Sequence, residues 1–593
     1  MIIQELGKLY ERLVNDSSIG EETAPPRNYT SENVRWVFEI NEAGKLLHVH
    51  SFTDDQNDGH VVTRLMAVPE HATRSGTKPI PFFLCDSAAY FAGMDEKRGI
   101  EKFKAAKDLH EAVLNGCSDV GAQAVLNYFN QEHPLDGVDE GTLTELGENS
   151  GFAVFQLSGD AGWLHQRPDV RSAWSAYCDQ PDEDVVLGQC SATGEHGPIE
   201  RLFPQVTGIP GAQSAGASLV SFNCDSFASY GKKQAYNASI SHAAALDAGS
   251  ALRYLFRDEQ HRMRFGDTTI LFWTDRPAPT EEGLFRAILG RKDAEDSAAV
   301  ERLRNYFVDM RAGRTLEDLD LATRFYIVGL SPNAARLSVR FFSIDSLDNI
   351  ARNFGLYLQD IQMVGCDKTS IFSLMRQAAV LGDLKNMPYT LVHSCADAML
   401  KGTPFPRMLY LSMLTRMRAD QGRGKPWDMG ERASVMKAYL VRKQRLTGFD
   451  DSDGKGLTMS LSNENDNQGY VLGRMFAVME RAQSAAIGSV GASITDRYIG
   501  AASTTPGRVF PNLFRGLQNN MSKIRKNKPG WAVNLDKEMS AAVSLMDGTQ
   551  SLPAFLDEEG QGQFFIGYYQ EREKLWQKKD ANDTALADVI SEN

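Results

Sequence analysis

Thr323–Phe342 reads TRFYIVGLSPNAARLSVRFF. Aromatic and β-branched residues lie on both sides of Ser331-Pro332-Asn333-Ala334, so the pattern predicts a strand, a Pro-Asn turn and a returning strand. This stretch divides the chain. Before it, strand-like pieces recur at 33–40, 45–52, 152–157 and 268–273, among helical patterns at Gln4–Val14 and across 95–130. From Leu347 onward the pattern is helical. Apolar residues fall at 471, 475, 478/479, 482 and 486, then at 510, 513/514, 517, 521 and 524. Further helices are expected around Trp531–Met546 and Phe564–Trp576. The expected fold is an α+β N-terminal region with mixed sheets and helices (1–345), then a helical region (346–447). A linker (448–470) and an all-α helical bundle (471–593) complete it. The linker is expected because GFDDSDGKGLTMSLSNENDNQ, from Gly448, is rich in Gly, Ser, Asp and Asn.

At 593 residues the chain is too long for one core. With 42% hydrophobic and 24% charged residues it has the composition of a globular protein. No window approaches a membrane-spanning apolar run, and MIIQELGKLYERLVND carries charges where a signal peptide would be apolar. The seven cysteines form no CxxC pair, which suits a reducing cytoplasm. The net charge of −14 speaks against a nucleic-acid partner until its distribution is read. Residues 401–450 hold 11 Lys and Arg against 4 Asp and Glu, 451–470 hold 1 against 4, and 471–530 hold 9 against 2. That block is net +11 and the remainder −25. Such asymmetry suits a surface that tracks phosphates, and a set of solvated helix faces gives the same count.

Three groups of residues invite a chemical reading. His48 and His50 share one face of an expected strand and precede Asp54, Asp55, Asp58 and His60. Imidazoles with carboxylates suit a metal, and a metal-dependent nuclease built on His48, His50 and Asp54 is the alternative function. The spacing is irregular, and a polar strand end running into an acidic turn accounts for the same residues, so no metal or other cofactor is expected. There is no GxxxxGK[ST] phosphate loop, GxSxG elbow or HExxH helix, so a binding protein rather than an enzyme is expected. The second group, Gly208-Ile209-Pro210-Gly211-Ala212-Gln213, is a close-approach loop or a plain turn. The third is SFNCDSFASYGKKQAYNASIS, Ser221–Ser241. Lys232 and Lys233 supply charge for phosphates. Asn223, Gln234 and Asn237 offer paired donors and acceptors for base edges. Tyr230 and Tyr236 offer rings to stack on an unpaired base. A helix is expected to start near Ser239.

The elements KPIPFFLCDSAAYFAG (from Lys78), GQCSATGE (from Gly188), FPQVTGIPGAQSAGASLVSFNCDSFASYGKKQAYNASIS (from Phe203) and FYIVGLSPNAARLSVRFF (from Phe325) follow in that order. Together they closely resemble the large subunit of the type I-C CRISPR effector (Cascade), from the first residues to about Leu517. The resemblance implies a subunit at the foot of a complex of guide RNA, a filament of backbone subunits and the guide-processing subunit. Its N-terminal domain would read a protospacer-adjacent motif in duplex DNA and begin strand opening. Its C-terminal helices would contact displaced DNA, and a separate helicase–nuclease would cut, leaving this subunit without catalysis. The family also makes a small subunit from inside the large-subunit gene. Here Met475 opens the first bundle helix, with Met459 and Met479 as alternative starts.

Within that frame Lys232 and Lys233 would hold phosphates, Asn223, Gln234 and Asn237 would meet base edges, and Tyr230 or Tyr236 would brace the opened step. Gly208, Gly211 and Gln213 would approach the minor groove, and Arg74 and Lys78 form a second cationic loop. In the helical domain Arg474 and Arg481 lie seven apart, a spacing repeated by Arg508 and Arg515. Lys523, Arg525, Lys526 and Lys528 extend the charge along a displaced strand.

Overall fold

The computed structural model describes residues 2–54, 60–71, 74, 78–95, 97–148, 151–180, 185–265, 267–289, 319–366, 371–379, 389–419, 426–448, 454–488, 492–546 and 551–576. It has an N-terminal region of mixed sheets and helices and a helical C-terminal part. The chain divides into two compact units. One comprises Met1–Arg262, Leu271–Arg276 and Leu330–Phe342, the other Met263–Ile270, Pro277–Gly329 and Ser343–Asn593.

The first unit opens with helix α1 (Ile2–Asn15). The long strand β1 (Tyr29–Ile40) then organises a six-stranded sheet with β2 (Leu46–Asp54), β3 (His60–Val62), β4 (Arg64–Pro69), β5 (Cys85–Ser87) and β6 (Phe152–Leu157). The order is β3-β2-β1-β6-β5, with β4 also on β1. β1 serves three neighbours by length. Its first half pairs antiparallel with β4, its second half antiparallel with β2, and β6 lies parallel along its other edge. Its second half is apolar on both faces because each face packs on a core. Trp36, Phe38 and Ile40 enter a large core with Phe91, Phe155 and the helices α2 (Gly99–Leu114) and α3 (Val120–Phe129). Val34 and Val37 enter a smaller one with Met66, Val68 and Val154.

A hairpin of β7 (Leu187–Gln189) and β8 (His196–Pro198) precedes β9 (Gln205–Val206), β10 (Ala217–Ser218) and helix α4 (His242–Arg257). A second six-stranded sheet runs in the order β11-β12-β13-β14-β10-β9, with β11 (Arg262–Phe265), β12 (Thr268–Thr274), β13 (Arg324–Asn333) and β14 (Arg336–Ser346). The expected hairpin is β13–β14, and its turn is shorter than predicted. Pro332 belongs to β13, and the chain reverses over Ala334-Ala335, with Ala334 left-handed at φ 54°.

The second unit is helical from α5 (Leu347–Ile361) through α6 (Arg407–Ala419), α7 (Pro426–Leu446), α8 (Gln468–Ile487), α9 (Ile494–Thr504), α10 (Pro506–Asn527), α11 (Pro529–Val543) and α12 (Glu558–Trp576). α8 and α12 touch backbone to backbone. A Cβ on Gly469 would sit 2.2 Å from the Gly560 carbonyl oxygen, one on Gly473 2.0 Å from that of Phe564, and one on Gly567 2.2 Å from that of Tyr470. Only hydrogen fits there. Tyr470 donates to Gln570 at 2.6 Å, and Arg474 Nε donates to Glu571 at 2.9 Å inside the same helix pair. The boundary expected at 448–470 does not separate compact units. Among its described residues, Ser462 O and Asn463 Oδ1 accept from the Arg474 guanidinium, and Ser462 and Asn465 are buried. Most of the described polar side chains of the stretch face water, Lys455, Thr458, Glu464 and Asp466 among them, while Ser462 and Asn463 also serve a buried charge.

Candidate nucleic-acid interface

Ser229 and Lys232 bridge antiparallel across a tight turn closed by Lys232 N–H to the Ser229 carbonyl at 2.9 Å. Its central residues, Tyr230 (φ 51°) and Gly231 (φ 71°), are both left-handed, the geometry of a type I′ turn. Asn-Gly is the usual occupant, and a bulky aromatic residue there is an outlier. Tyr230 is 99% exposed. Two more left-handed non-glycine residues follow, Gln234 (φ 49°) and Ser239 (φ 50°). Such conformations cost on the order of 1–3 kcal/mol each and persist where the surroundings over-determine them.

Asn237 supplies much of that determination. Its Oδ1 accepts from Ser229 N–H at 2.9 Å, and its Nδ2 donates to the Lys232 and Gln234 carbonyls, both at 2.9 Å. Gln234 Oε1 accepts from Arg201 at 2.6 Å. The far end of the loop is stitched to the β7–β8 hairpin. Ser191 N–H donates to the Ser239 carbonyl at 2.7 Å, and its hydroxyl to that of Ala238 at 2.8 Å. Ser241 then caps α4 by accepting from Ala244 N–H. The helix therefore begins three residues beyond Ser239.

An open groove of about 440 Å³ lies between Val186, Leu187 and Ile199 on one side and Lys232, Lys233 and Tyr236 on the other. Lys232 Nζ reaches Ser239 Oγ at 3.3 Å. The Lys233 side chain is exposed and meets no partner among the described residues, and Asn223 is exposed as well. Gly208 (φ 75°) and Gly211 (φ 90°) turn an exposed segment that carries Gln213. Lys78 is exposed. Arg74 is committed: its guanidinium lies between the rings of Phe82 (3.7 Å) and Tyr90 (3.9 Å) and pairs with Asp86. Burial pushes the Asp86 carboxyl up, and Arg74 draws it back.

In the helical part, the cations grouped by spacing separate by environment. Arg474 is removed from the surface set. Its side chain and that of Glu571 are both 0% exposed, and the pair is sealed between α8 and α12. Arg481 lies over Trp531 (4.6 Å) and Trp576 (4.5 Å). Arg525 pairs with Asp536 at 3.0 Å on the surface. Arg508, Arg515, Lys523 and Lys526 stand exposed on α10, and Lys528 reaches over Trp531 at 5.8 Å. Four groups escaped the sequence reading: Arg201, which orients Gln234; the apolar groove wall of Val186 and Leu187; Phe227, beneath Arg336 at 5.4 Å; and Trp531. Only Trp531 carried a local signal, an aromatic soon after a cation run.

His48 and His50 lie on β2 opposite Glu39 and Val37. Asp54 ends that strand and pairs in register with His60, while Asp55 and Asp58 fall outside the described residues. Among the described residues no three His, Cys, Asp or Glu gather as a metal ion would need, and no helix is long and apolar enough to cross a membrane.

The family model described as CRISPR-associated protein (Cas_Csd1) matches residues 6–576. A search of curated proteins returned no match.

Proposed function

We propose that this chain, which belongs to the CRISPR-associated Cas_Csd1 family, is the large subunit of a type I-C RNA-guided surveillance complex in the cytoplasm. Its role is recognition and not catalysis. It reads the adjacent motif in duplex DNA, helps to open the strands and holds the open state for a separate helicase–nuclease. The observation that carries this reading is the strained turn with Tyr230 at its tip. A ring held out in water by an unfavourable backbone, flanked by Lys232 and Lys233, has the form of a wedge against a base step. Lysines beside it bring the duplex backbone into range without reading sequence. On α10 the exposed cations suit the displaced strand. Guide RNA, backbone filament subunits and the guide-processing subunit are the expected partners, with a small subunit begun inside the same gene.

The test uses the assembled complex with guide RNA. Tyr230→Ala should bind motif-bearing duplex nearly normally yet slow strand opening by roughly tenfold or more, the cost of about 1.4 kcal/mol of lost wedge, followed by permanganate reactivity of the displaced strand. A pre-opened bubble target should restore the rate. Full opening by the variant on closed duplex would defeat the wedge assignment.

A further inference from the structure

Trp531 sits in the first turn of α11, just after the run Lys523–Lys528. Its setting is unusual for a tryptophan. It keeps 43% of its surface exposed, where Trp36, Trp273 and Trp174 keep 1%, 2% and 7%. The ring is partly covered and partly open. The Arg481 guanidinium lies over it at 4.6 Å and over Trp576 at 4.5 Å, and the Lys528 ammonium comes within 5.8 Å. If the ring served packing alone, burying it would stabilise the fold further.

The helix leading to this ring has two unlike faces. Phe510, Leu513, Met521 and Ile524 are buried. Arg508, Asn512, Arg515, Asn519 and Lys526 recur at steps of three, four and seven, share the opposite face and are exposed. The helix contains no Asp or Glu. From position 508 to 526 the face runs ~27 Å at about 1.5 Å per residue, long enough for several nucleotides of an extended strand.

We propose that Trp531 is a base-stacking platform at the end of this track. A single-stranded nucleic acid lays its phosphates on Arg508, Arg515 and Lys526 and stacks one unpaired base on the exposed part of the indole. The platform rests on the reading that the helical part holds a displaced strand. It adds an attraction that salt does not screen, because stacking acts through the π-face common to every base and is therefore tolerant of sequence.

The full-length protein is titrated by fluorescence anisotropy with a labelled oligo-dT and with an abasic sugar–phosphate strand of equal length. Wild type should prefer oligo-dT by about 5- to 150-fold. Trp531→Ala should abolish that preference with the salt slope unchanged, and Trp531→Phe should keep most of it with an unchanged melting transition. Equal affinity of wild type for the two strands, or an unaltered preference in Trp531→Ala, overturns the platform. Arg508→Ala/Arg515→Ala/Lys526→Ala should instead lower the log–log salt slope by about 0.7 for each phosphate no longer neutralised. If that triple variant changes neither slope nor affinity, strand binding by this face is itself overturned. A lowered slope beside an insensitive Trp531 sinks only the platform.

Discussion

The loop Ser229–Ser239 and one face of α10 both expose cations, in the proposed role toward a polyanion, by opposite constructions. The loop combines three left-handed non-glycine residues, a fully engaged asparagine and seams to a neighbouring hairpin. It fixes the backbone from which Tyr230, Lys232 and Lys233 project. α10 is a continuous helix, with Pro511 inside it, on which the exposed Arg508, Arg515 and Lys526 recur with the helical period. A fixed arrangement suits discrimination, because a wrong partner meets the same geometry and fits it worse. A periodic row of flexible side chains suits tolerance, because each cation finds whichever phosphate is near.

The largest effect is expected at a cation that belongs to neither class. Arg474→Ala leaves Glu571 buried without its counter-ion, in a site where burial already pushes that carboxyl up. We expect a loss of roughly 3–5 kcal/mol in the helical unit, read from urea unfolding. Arg474→Met combined with Glu571→Leu should recover most of it, with the salt slope for single strands unchanged. A flattened slope in that double variant would return Arg474 to the binding face.

A smaller effect sharpens the loop. Asn237 is bonded through its whole amide to the turn, so Asn237→Ala should act on loop geometry and not on one base edge. About 1–2 kcal/mol of loop order is at stake. Hydrogen exchange at Tyr230–Lys233 should rise, and affinity for motif-bearing and scrambled duplex should converge. Retained protection with altered preference at a single base position would make Asn237 a direct reader instead.

These two residues also mark how far the sequence was legible. The β13–β14 hairpin, the helical second half and the composition of the loop at 221–241 followed from local pattern. The division of labour inside the loop did not, since an asparagine that meets a base and one that ties a turn look alike until their hydrogen-bond partners are known. Spacing correctly placed Arg474 and Arg481 on one face of α8. It erred on exposure, because α8 is buried without interruption from Gly469 to Met479 and offers no solvent face there. Of the glycines that allow that burial, Gly469 fell in the expected linker and Gly473 in the expected bundle.

The close approach of α8 to α12 bears on where the proposed shorter product of the same gene would begin. Translation from Met475 would discard Gly469, Tyr470, Gly473 and Arg474, stranding Glu571 and Gln570 on α12 without their α8 partners. Met479 would discard a further turn. A start at Met459 retains all four residues together with Ser462 and Asn463, which hold the arginine in place. It would still lose Tyr410, whose hydroxyl would stand 2.1 Å from a Cβ on Gly562, so that flank of α12 would be left for another subunit to cover. Of the three starts, Met459 is the one that would keep this helix pair whole, so the proposed small subunit is expected to begin there. Expression with a C-terminal tag and mass spectrometry of the N-terminus would show it, and a cooperatively folded product beginning at Met475 would show that this helix pair can be opened without loss.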